Sequence, residues 1–279
     1  MVAWRAAASI IVVSRTSRRV LVMRRGATAK FMPNAVVFPG GVVADSDRLL
    51  GHPTKELFEE TGVILGRQES AATSQELHEM QKKTKADANN FKLVCPSPPL
   101  DDLIVWSTWL TPAGYDQRYM TSFFLTECDG EPDIRMCEEE MSHYIWIDPN
   151  GCLDKASKGE LILPPPQVYE LTRISQIIEN FRDYGNTRHV LSPQQVKWSD
   201  GSRISGLLPG DHLYIDEDIY NQPPRTLSLD AVQVDLSKPT HRVEYRTNPL
   251  YADCKLFIHN LKSPYCIDFH QFSTDFEDF

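Results

Sequence analysis

Residues 38–41 read FPGG and residues 55–63 read KELFEETGV, and these two stretches decide the fold of the 279-residue chain. The second stretch places Glu56, Glu59 and Glu60 at positions i, i+3 and i+4, which share one face of an α-helix. Three like charges this close repel one another, and a divalent cation among their oxygens relieves the repulsion. The spacing therefore predicts a metal-binding helix face, with a solvated acidic surface as the alternative.

The glycine pair Gly40-Gly41 follows an apolar run at residues 35–38, which predicts a short strand that ends at the pair. Two glycines in succession predict a sharp turn and a close approach of the backbone to a ligand. Five residues separate Gly41 from Asp47, and seven more separate Asp47 from Lys55. The glycine pair and the glutamate run therefore stand at a fixed spacing.

This spacing resembles the Nudix box, the family pattern G-x5-E-x7-R-E-U-x-E-E-x-G-U, in which U is a bulky aliphatic residue. The residues that match in register are Gly41, Glu56, Leu57, Glu59, Glu60, Gly62 and Val63. Asp47 stands at the position of the family's first Glu, and Lys55 stands at the position of its Arg. Because Lys lacks the planar, bidentate donor of Arg, a reduced catalytic activity is one interpretation of this atypical box.

The resemblance implies an α/β fold of the Nudix type, an α/β/α sandwich with a mixed sheet. It implies a metal-dependent hydrolase that cleaves a diphosphate bond with Mg²⁺ or Mn²⁺ as its cofactor. The implied metal ligands are Glu56, Glu59, Glu60 and the carbonyl of Gly41, with that of Gly40 as an alternative. The implied catalytic residues are Glu56, Glu59, Lys55 and Glu140, with Glu139 as the alternative to Glu140. A solvated loop is the other interpretation of residues 138–140.

Segments outside the box are similar to one branch of this family, the animal peroxisomal coenzyme A and acyl-CoA diphosphatases. They read WRAAASI (4–10), FMPNA (31–35), WSTWLTP (106–112), LPPPQVYE (163–170) and LLPGD (207–211). An upstream coenzyme A signature is also kept in part between residues 21 and 41. The resemblance implies coenzyme A or acyl-CoA as substrate, and 3′,5′-ADP and (acyl-)4′-phosphopantetheine as products. The implied substrate contacts are Arg25, Lys30, Phe38 and Gly40.

Charge is distributed unevenly along the chain. Residues 1–44 contain no Asp or Glu and carry +7, so the remaining 235 residues carry −16 of the net charge of −9. A basic segment beside a carboxylate cluster suits a metal-bound, polyanionic substrate. A mitochondrial transit peptide and a merely solvated basic surface are the alternatives. Because the whole chain is acidic, we expect no nucleic-acid partner.

Other features bear on the compartment. No apolar run reaches the roughly 18 residues that span a bilayer. The six cysteines form no C-x-x-C pair, and we expect them to be reduced thiols of an intracellular protein. The resemblance implies the peroxisome, whereas residues 275–279, DFEDF, are unlike an S-K-L signal, so the cytoplasm is the alternative.

Hydrophobic periodicity predicts the order of the elements. We expect strands near 6–13, 19–24, 104–110, 118–126 and 144–147, and helices at 53–61, 74–90 and from 164 onwards. We expect the glutamate helix to begin near Pro53 and to end at Gly62. The predicted organisation is a Nudix domain at 1–185 with a helical insertion at 66–103, and a strand-rich C-terminal extension at 186–279 packed on it.

Two other functions stay open at this point. The first is a Nudix diphosphatase for another nucleoside diphosphate conjugate, such as a dinucleotide or a nucleotide sugar, because substrate choice lies in loops outside the box. The second is a catalytically weakened protein that binds nucleotide without hydrolysing it. Asp47 and Lys55 favour the second, whereas the intact glutamates argue against it.

Overall fold

The computed structural model describes residues 3–29, 32–43, 52–66, 74–136, 141–178 and 189–261. Its strands are β1 (Trp4–Ser14), β2 (Val20–Arg25), β3 (Val36–Val37), β4 (Gly40–Val42), β5 (Ile104–Leu110), β6 (Arg118–Cys128), β7 (Met141–Ile147), β8 (Val190–Leu191), β9 (Gln194–Trp198), β10 (Arg203–Leu207), β11 (Arg225–Leu227), β12 (Thr240–Arg246) and β13 (Lys255–His259). Its helices are α1 (His52–Thr61), α2 (Ser74–Ala86), α3 (Phe91–Val94), α4 (Pro149–Ser157), α5 (Pro165–Ile177) and α6 (Leu229–Val232).

The fold is mixed α/β with mixed sheets, as predicted. Strand β1 pairs antiparallel with β2, whereas β8 pairs in parallel with β5. The predicted strands and helices are all present, with α1 beginning one residue before the predicted Pro53. Helix α4 was not predicted, because its first residues, Pro149, Asn150 and Gly151, are typical of turns. Proline is nevertheless tolerated in the first turn of a helix, where it lies here.

The chain divides into two compact units. The glutamate-helix unit comprises residues Arg5–Trp106 and Thr121–Asp148, and the C-terminal unit comprises Met1–Trp4, Ser107–Met120 and Pro149–Phe279. Helix α5 therefore groups with the C-terminal strands, although the sequence places the boundary at 185/186. The packing of the extension on the Nudix domain stays a prediction.

The glutamate-helix unit is built on a sheet with the order β3-β2-β1-β6-β5, to which β4 adds on β1 and β7 on β2. Helix α1 buries Leu57 in a core formed with Ile10, Val12, Leu21, Val63, Leu65 and Ile134. A fully buried Leu side chain contributes about 2 kcal/mol. Gly62, at a φ of +73°, ends α1 as predicted, because glycine adopts this left-handed conformation without a steric penalty.

The insertion packs on the other apolar side of α1. Phe58 is fully buried in a cluster with Leu77, Phe91, Val94 and Cys95, all of which belong to residues 66–103. The rings of Phe58 and Phe91 lie 5.9 Å apart. Because Leu57 and Phe58 point in different directions, α1 is fixed between the sheet and the insertion.

In the C-terminal unit, whose sheet has the order β11-β9-β10-β12-β13, a buried carboxylate binds two residues of β12. Asp211 accepts hydrogen bonds from Nε of Arg242 at 2.7 Å, from Nη2 of Arg242 at 2.9 Å and from the backbone N–H of His241 at 2.9 Å. The His241 ring lies between the Pro209 carbonyl, 2.7 Å from Nδ1, and the Tyr169 hydroxyl, 3.1 Å from Nε2. Removing one partner of a buried ion pair of this kind strongly destabilises the folded protein.

The thiols are reduced, as predicted for the cysteines that the structure describes. Cys95, Cys128, Cys152 and Cys254 are free, and burial raises the pKa of Cys128 to about 12. Such a thiol carries no thiolate near neutral pH, so it is not a nucleophile. Cys137 and Cys266 lie outside the described residues. Among the described residues, no helix is long and apolar enough to cross a membrane.

The buried His241 makes the stability of the protein dependent on pH. Burial lowers the pKa of His241 to about 4, below its ordinary value of 6.5. Below pH 6.5 the unfolded chain therefore binds a proton at this ring that the folded chain does not. The free energy of unfolding that is present above pH 6.5 decreases as the pH falls through 4. We expect this residue to account for a loss of about 3 kcal/mol by pH 4.

Chemical denaturation of the wild type and of His241→Asn between pH 7 and pH 4 tests this expectation. The variant should show the smaller decrease in unfolding free energy, whereas His189→Asn, a change at an exposed histidine of the same unit, should follow the wild type. Equal pH dependence in all three proteins would contradict the assignment.

Candidate active site

Helix α1 places two of the three predicted glutamates around one positive charge. The Nζ atom of Lys55 lies 3.1 Å from Oε1 of Glu56 and 3.1 Å from Oε1 of Glu59. The exposed fractions of these side chains are 11% for Lys55, 12% for Glu56 and 11% for Glu59. A solvated acidic surface is therefore the wrong interpretation, because these charges are largely withdrawn from water.

The third glutamate ties α1 to the glycine pair. Oε2 of Glu60 accepts a hydrogen bond of 2.9 Å from the backbone N–H of Gly40, and Glu60 is buried. One turn earlier, the Glu56 carboxylate lies against Gly41, where a Cβ would overlap its Oε2 atom. The two halves of the motif are thus in direct contact, so the spacing seen in the sequence corresponds to one site.

The glycine pair forms a strand, and the predicted sharp turn at this position is wrong. Strand β4 pairs antiparallel with β1, with Gly40 opposite Ser9 and Gly41 opposite Ala8. Neither glycine has a positive φ. The close approach that two glycines permit is real, however, because a Cβ on Gly40 would overlap the Ala8 carbonyl oxygen. Glycine is required here for space and not for a turn.

Lys55 is held in the charged form by its two neighbours. Burial lowers the pKa of the ammonium, but attraction to Glu56 and Glu59 and hydrogen bonds to both outweigh it, so the pKa stands above its ordinary value. The interaction is local to α1, because Lys55 and Glu59 are four residues apart. Lys55 therefore acts as a built-in counter-ion for the carboxylate pair.

The donor set fits a hard divalent cation in its chemistry. Within the described residues, no three His, Cys, Asp or Glu side chains converge in the manner of a complete metal site. Glu56 and Glu59 nevertheless converge on a single ammonium, which stands in for a cation between two carboxylates. Carboxylate oxygens are the ligands that Mg²⁺ and Mn²⁺ prefer. Glu56 and Glu59 are the residues that would hold such an ion.

The predicted substrate residues lie in different environments. Phe38 is 2% exposed and packs edge-on against Phe123, with ring centroids 6.3 Å apart. A buried ring of this kind supports the loop, so we do not retain Phe38 as a substrate contact. Arg25 ends β2, where its N–H donates to the Ala35 carbonyl at 2.9 Å. Lys30, Asp47, Glu139 and Glu140 lie outside the described residues.

The basic N-terminal segment is part of the sheet. Residues of β1 and β2 form its buried centre, which contradicts a transit peptide. Three of its arginines bind acidic residues at and just beyond the end of β6, so these three do not form the phosphate-facing surface that the charge distribution suggests. The pairs are Arg15 with Asp129 at 2.6 Å, Arg18 with Glu127 at 2.9 Å and Arg19 with Glu131 at 3.6 Å.

One buried neighbour of the site has no counterpart in the motif. The side-chain amide of Gln81, on α2, contacts the carbonyl oxygens of Phe58, Glu59 and Arg135. Leu77, Gln81 and Thr84 are the buried positions of α2, at helical spacing. Two polar residues on a buried stripe are the signal by which the sequence could have indicated such a contact.

Comparison with known proteins identifies the family of the chain. A family model described as the NUDT19 Nudix domain matches residues 53–174. The chain is 43% identical over 284 residues to a Caenorhabditis elegans protein named nudix hydrolase 7, with 99% of this chain and 96% of that one covered. It is 26% identical over 328 residues to acyl-coenzyme A diphosphatase NUDT19 of Gallus gallus, with 84% of this chain and 86% of that one covered.

A crystal structure of a NUDIX hydrolase from Alicyclobacillus acidocaldarius shares the fold, with a TM-score of 0.58 at 21% identity, covering 67% of this chain and 98% of that one. The mixed α/β fold and these relatives together define the class of the chain, which is a hydrolase. The chain belongs to the Nudix hydrolase family. It is an enzyme of that family, whose members use divalent metal ions.

Replacing Gly40 by alanine should lower the stability of the protein, whereas replacing Gly41 by alanine should lower its turnover. On Gly41 the added Cβ overlaps the end of the Glu56 side chain, whereas on Gly40 it overlaps the β1 backbone. We expect Gly41→Ala to fold normally and to lose about a hundredfold in turnover, because Glu56 must move by about 1 Å. We expect Gly40→Ala to lose about 1–3 kcal/mol of stability.

Thermal unfolding measures the loss of stability in both variants, and Mn²⁺ titration together with a hydrolysis assay measures the loss of metal binding and turnover, each beside the wild type. Gly206→Ala serves as a control for the general cost of alanine at a glycine in a strand, since Gly206 has no positive φ and its Cβ meets no atom closer than 3.5 Å. The steric account is wrong if Gly41→Ala binds Mn²⁺ and turns over as the wild type does.

Proposed function

We propose that this enzyme hydrolyses the diphosphate bond of coenzyme A or acyl-CoA to 3′,5′-ADP and (acyl-)4′-phosphopantetheine, with Mg²⁺ or Mn²⁺ as cofactor. The observation that carries the proposal is the pair of carboxylates, Glu56 and Glu59, around the Lys55 ammonium, with Glu56 lying against Gly41 of the glycine strand. The choice of substrate is supported by the similarity to acyl-coenzyme A diphosphatases across most of the chain.

The acidic residues of α1 have different proposed roles in the reaction. Glu56 and Glu59 are the proposed metal ligands, with Glu60 and the carbonyl of Gly41 completing the set. A divalent cation bound there supplies neutralisation of the phosphate oxygens and a lower pKa for the attacking water. Glu56 orients that water and takes its proton as the new P–O bond forms. The bridging P–O bond breaks, and each product keeps one of the two phosphates of the diphosphate, so 3′,5′-ADP carries that phosphate at its 5′ position beside its original 3′-phosphate.

Before a divalent cation binds, the ammonium of Lys55 holds the carboxylates of Glu56 and Glu59 at equal distances from itself, and this arrangement supports the reaction. Its ammonium lies equally far from Glu56 and Glu59, so both side chains already face one point. A divalent ion carries twice the charge and attracts the pair more strongly. Pre-positioned ligands lose less conformational freedom on binding, which favours metal affinity.

The phosphate contacts are proposed for Arg25 and Lys30, with Glu140, or Glu139, as the later acidic residue. Support for Arg25 is its position at the end of β2, next to the strand register shift between Arg24 and Arg25. The N–H of Gly40 is occupied by Glu60, so Gly40 can offer a substrate its carbonyl only. The peroxisome, with the cytoplasm as alternative, stays the predicted compartment.

The first test is hydrolysis of coenzyme A and acetyl-CoA in Mg²⁺ or Mn²⁺, with the products separated by chromatography. We expect the wild type to release 3′,5′-ADP and Glu59→Gln to be at least about a hundredfold slower, because it loses a charged ligand but keeps its shape. Glu79→Gln, on the exposed face of α2, is the matched control and should equal the wild type. Folded wild type that releases no 3′,5′-ADP with either metal would refute the substrate proposal.

A nucleotide-binding protein with weakened catalysis is the second candidate function. The observation that favours it is Lys55, whose ammonium occupies the point between Glu56 and Glu59 that a catalytic cation would take. Restoring the family residues in Asp47→Glu with Lys55→Arg tests it, because the guanidinium can bind a carboxylate through two parallel hydrogen bonds.

We expect the double variant to gain about tenfold in kcat, since better-placed carboxylates bind the metal in a more productive geometry. The measurement is kcat with coenzyme A, together with nucleotide affinity by calorimetry. An unchanged, negligible kcat with retained nucleotide binding would favour the binding protein, and Lys55→Arg alone shows how much comes from each position.

A further inference from the structure

We propose that Gln81, on the inserted helix α2, is a positioning residue for the glutamate helix α1. Its side-chain Nε2 donates to the carbonyl oxygens of Phe58 at 3.1 Å and Arg135 at 2.9 Å, and lies 3.4 Å from that of Glu59. No part of the Nudix motif includes this residue, which belongs to the insertion at 66–103. The inference rests on the proposed function, since it concerns the metal ligands of that site.

Gln81 donates at the C-terminal end of α1, where the carbonyl groups of the helix lack donors. The last four carbonyls of an α-helix have no partner within the helix. In α1 these belong to Phe58, Glu59, Glu60 and Thr61, and three of them are bonded from outside the helix. Gly62 N–H donates to Phe58 at 2.8 Å, Arg135 N–H donates to Thr61 at 2.8 Å, and the Gln81 amide reaches Phe58 and Glu59.

Among the donors named here Gln81 contributes a side chain, and it comes from another element, α2. At 6% exposure its amide is withdrawn from water, where a polar group is retained only if it is hydrogen-bonded. The neighbouring buried residue Leu77 contributes through the apolar cluster with Phe58. The insertion therefore holds α1 in two ways, with an apolar contact at Phe58 and polar contacts at the end of the helix.

The polar contacts fix the position of α1 along its own axis. Apolar packing around Phe58 tolerates a small slide of the helix, whereas hydrogen bonds are lost steeply with distance and angle. A slide of α1 moves Glu56, Glu59 and Glu60 together relative to Gly40 and Gly41. Because a displacement of about 1 Å costs on the order of a hundredfold in rate, the axial position matters for catalysis.

The test uses Gln81→Met, which keeps the length and volume of the side chain and removes its donors. Gln81→Lys is the rescue variant, because an ammonium can donate to the same three carbonyls and suits the negative end of a helix. Leu77→Ala is the comparator for a purely structural role, because it weakens the packing of the same helix and leaves the amide in place.

The first readout is the Mn²⁺ Kd of the substrate-free protein, measured by calorimetry, with the Tm of each variant. We expect Gln81→Met to raise the Kd about tenfold, and Gln81→Lys to recover most of that loss. Leu77→Ala should lower the Tm at least as much and leave the Kd within about twofold. With coenzyme A, Gln81→Met should lower kcat and leave KM unchanged.

The outcomes separate this inference from the proposed substrate. If the wild type binds Mn²⁺ but does not cleave coenzyme A, the substrate proposal fails and the Mn²⁺ affinities still decide the role of Gln81. The inference is overturned if Gln81→Met binds Mn²⁺ as the wild type does, or if Leu77→Ala weakens binding equally at an equal loss of Tm. A wild type that binds no Mn²⁺ overturns it as well.

Discussion

The site depends on the contact between the carboxylates of α1 and the backbone of the glycine strand. Glu60 accepts a hydrogen bond from Gly40 N–H, and Glu56 lies where a side chain on Gly41 would be. On its other side β4 is paired with β1, whose Ala8 carbonyl lies as close to Gly40. Because neither glycine has a side chain, β4 pairs closely with β1 and the carboxylates of Glu56 and Glu60 reach the β4 backbone directly. The positions of these glutamates therefore follow from the geometry of the sheet.

Electrostatics explains why this arrangement favours a divalent cation. Three carboxylates on one largely buried face are offset within α1 by the single ammonium of Lys55, and Gly40 N–H adds a dipole. Desolvated like charges repel strongly, because the effective dielectric constant is lower than in water. The raised pKa of Lys55 reports the same negative potential. A divalent ion is the ligand that relieves it most, and carboxylate oxygens are suitable donors for it.

Local features of the chain could be predicted from the sequence, and features that join distant segments could not. Pro53 and Gly62 give the limits of α1 to within one residue, because the first turn and the end of a helix depend on local residues. The strand at Gly40-Gly41 depends on pairing with β1, and Arg15 binds Asp129, which is 114 residues away. Periodicity contains no information on such partners. The resemblance implies Phe38 as a substrate contact, but Phe38 packs on Phe123, 85 residues further along the chain, and is buried.

The need for the insertion follows from the sequence of α1 itself. A helix of 10 residues is marginal on its own, and α1 has no acidic residue in its first turn and no basic residue in its last. Glu59 and Glu60 lie instead near its C-terminal end, where the helix dipole disfavours negative charge by about 0.3–1 kcal/mol each. The motif thus places charge where catalysis requires it and where an isolated helix tolerates it least. Stability has to come from outside, and the insertion provides it through Phe91 against Phe58 and through the donors of Gln81 at the negative end.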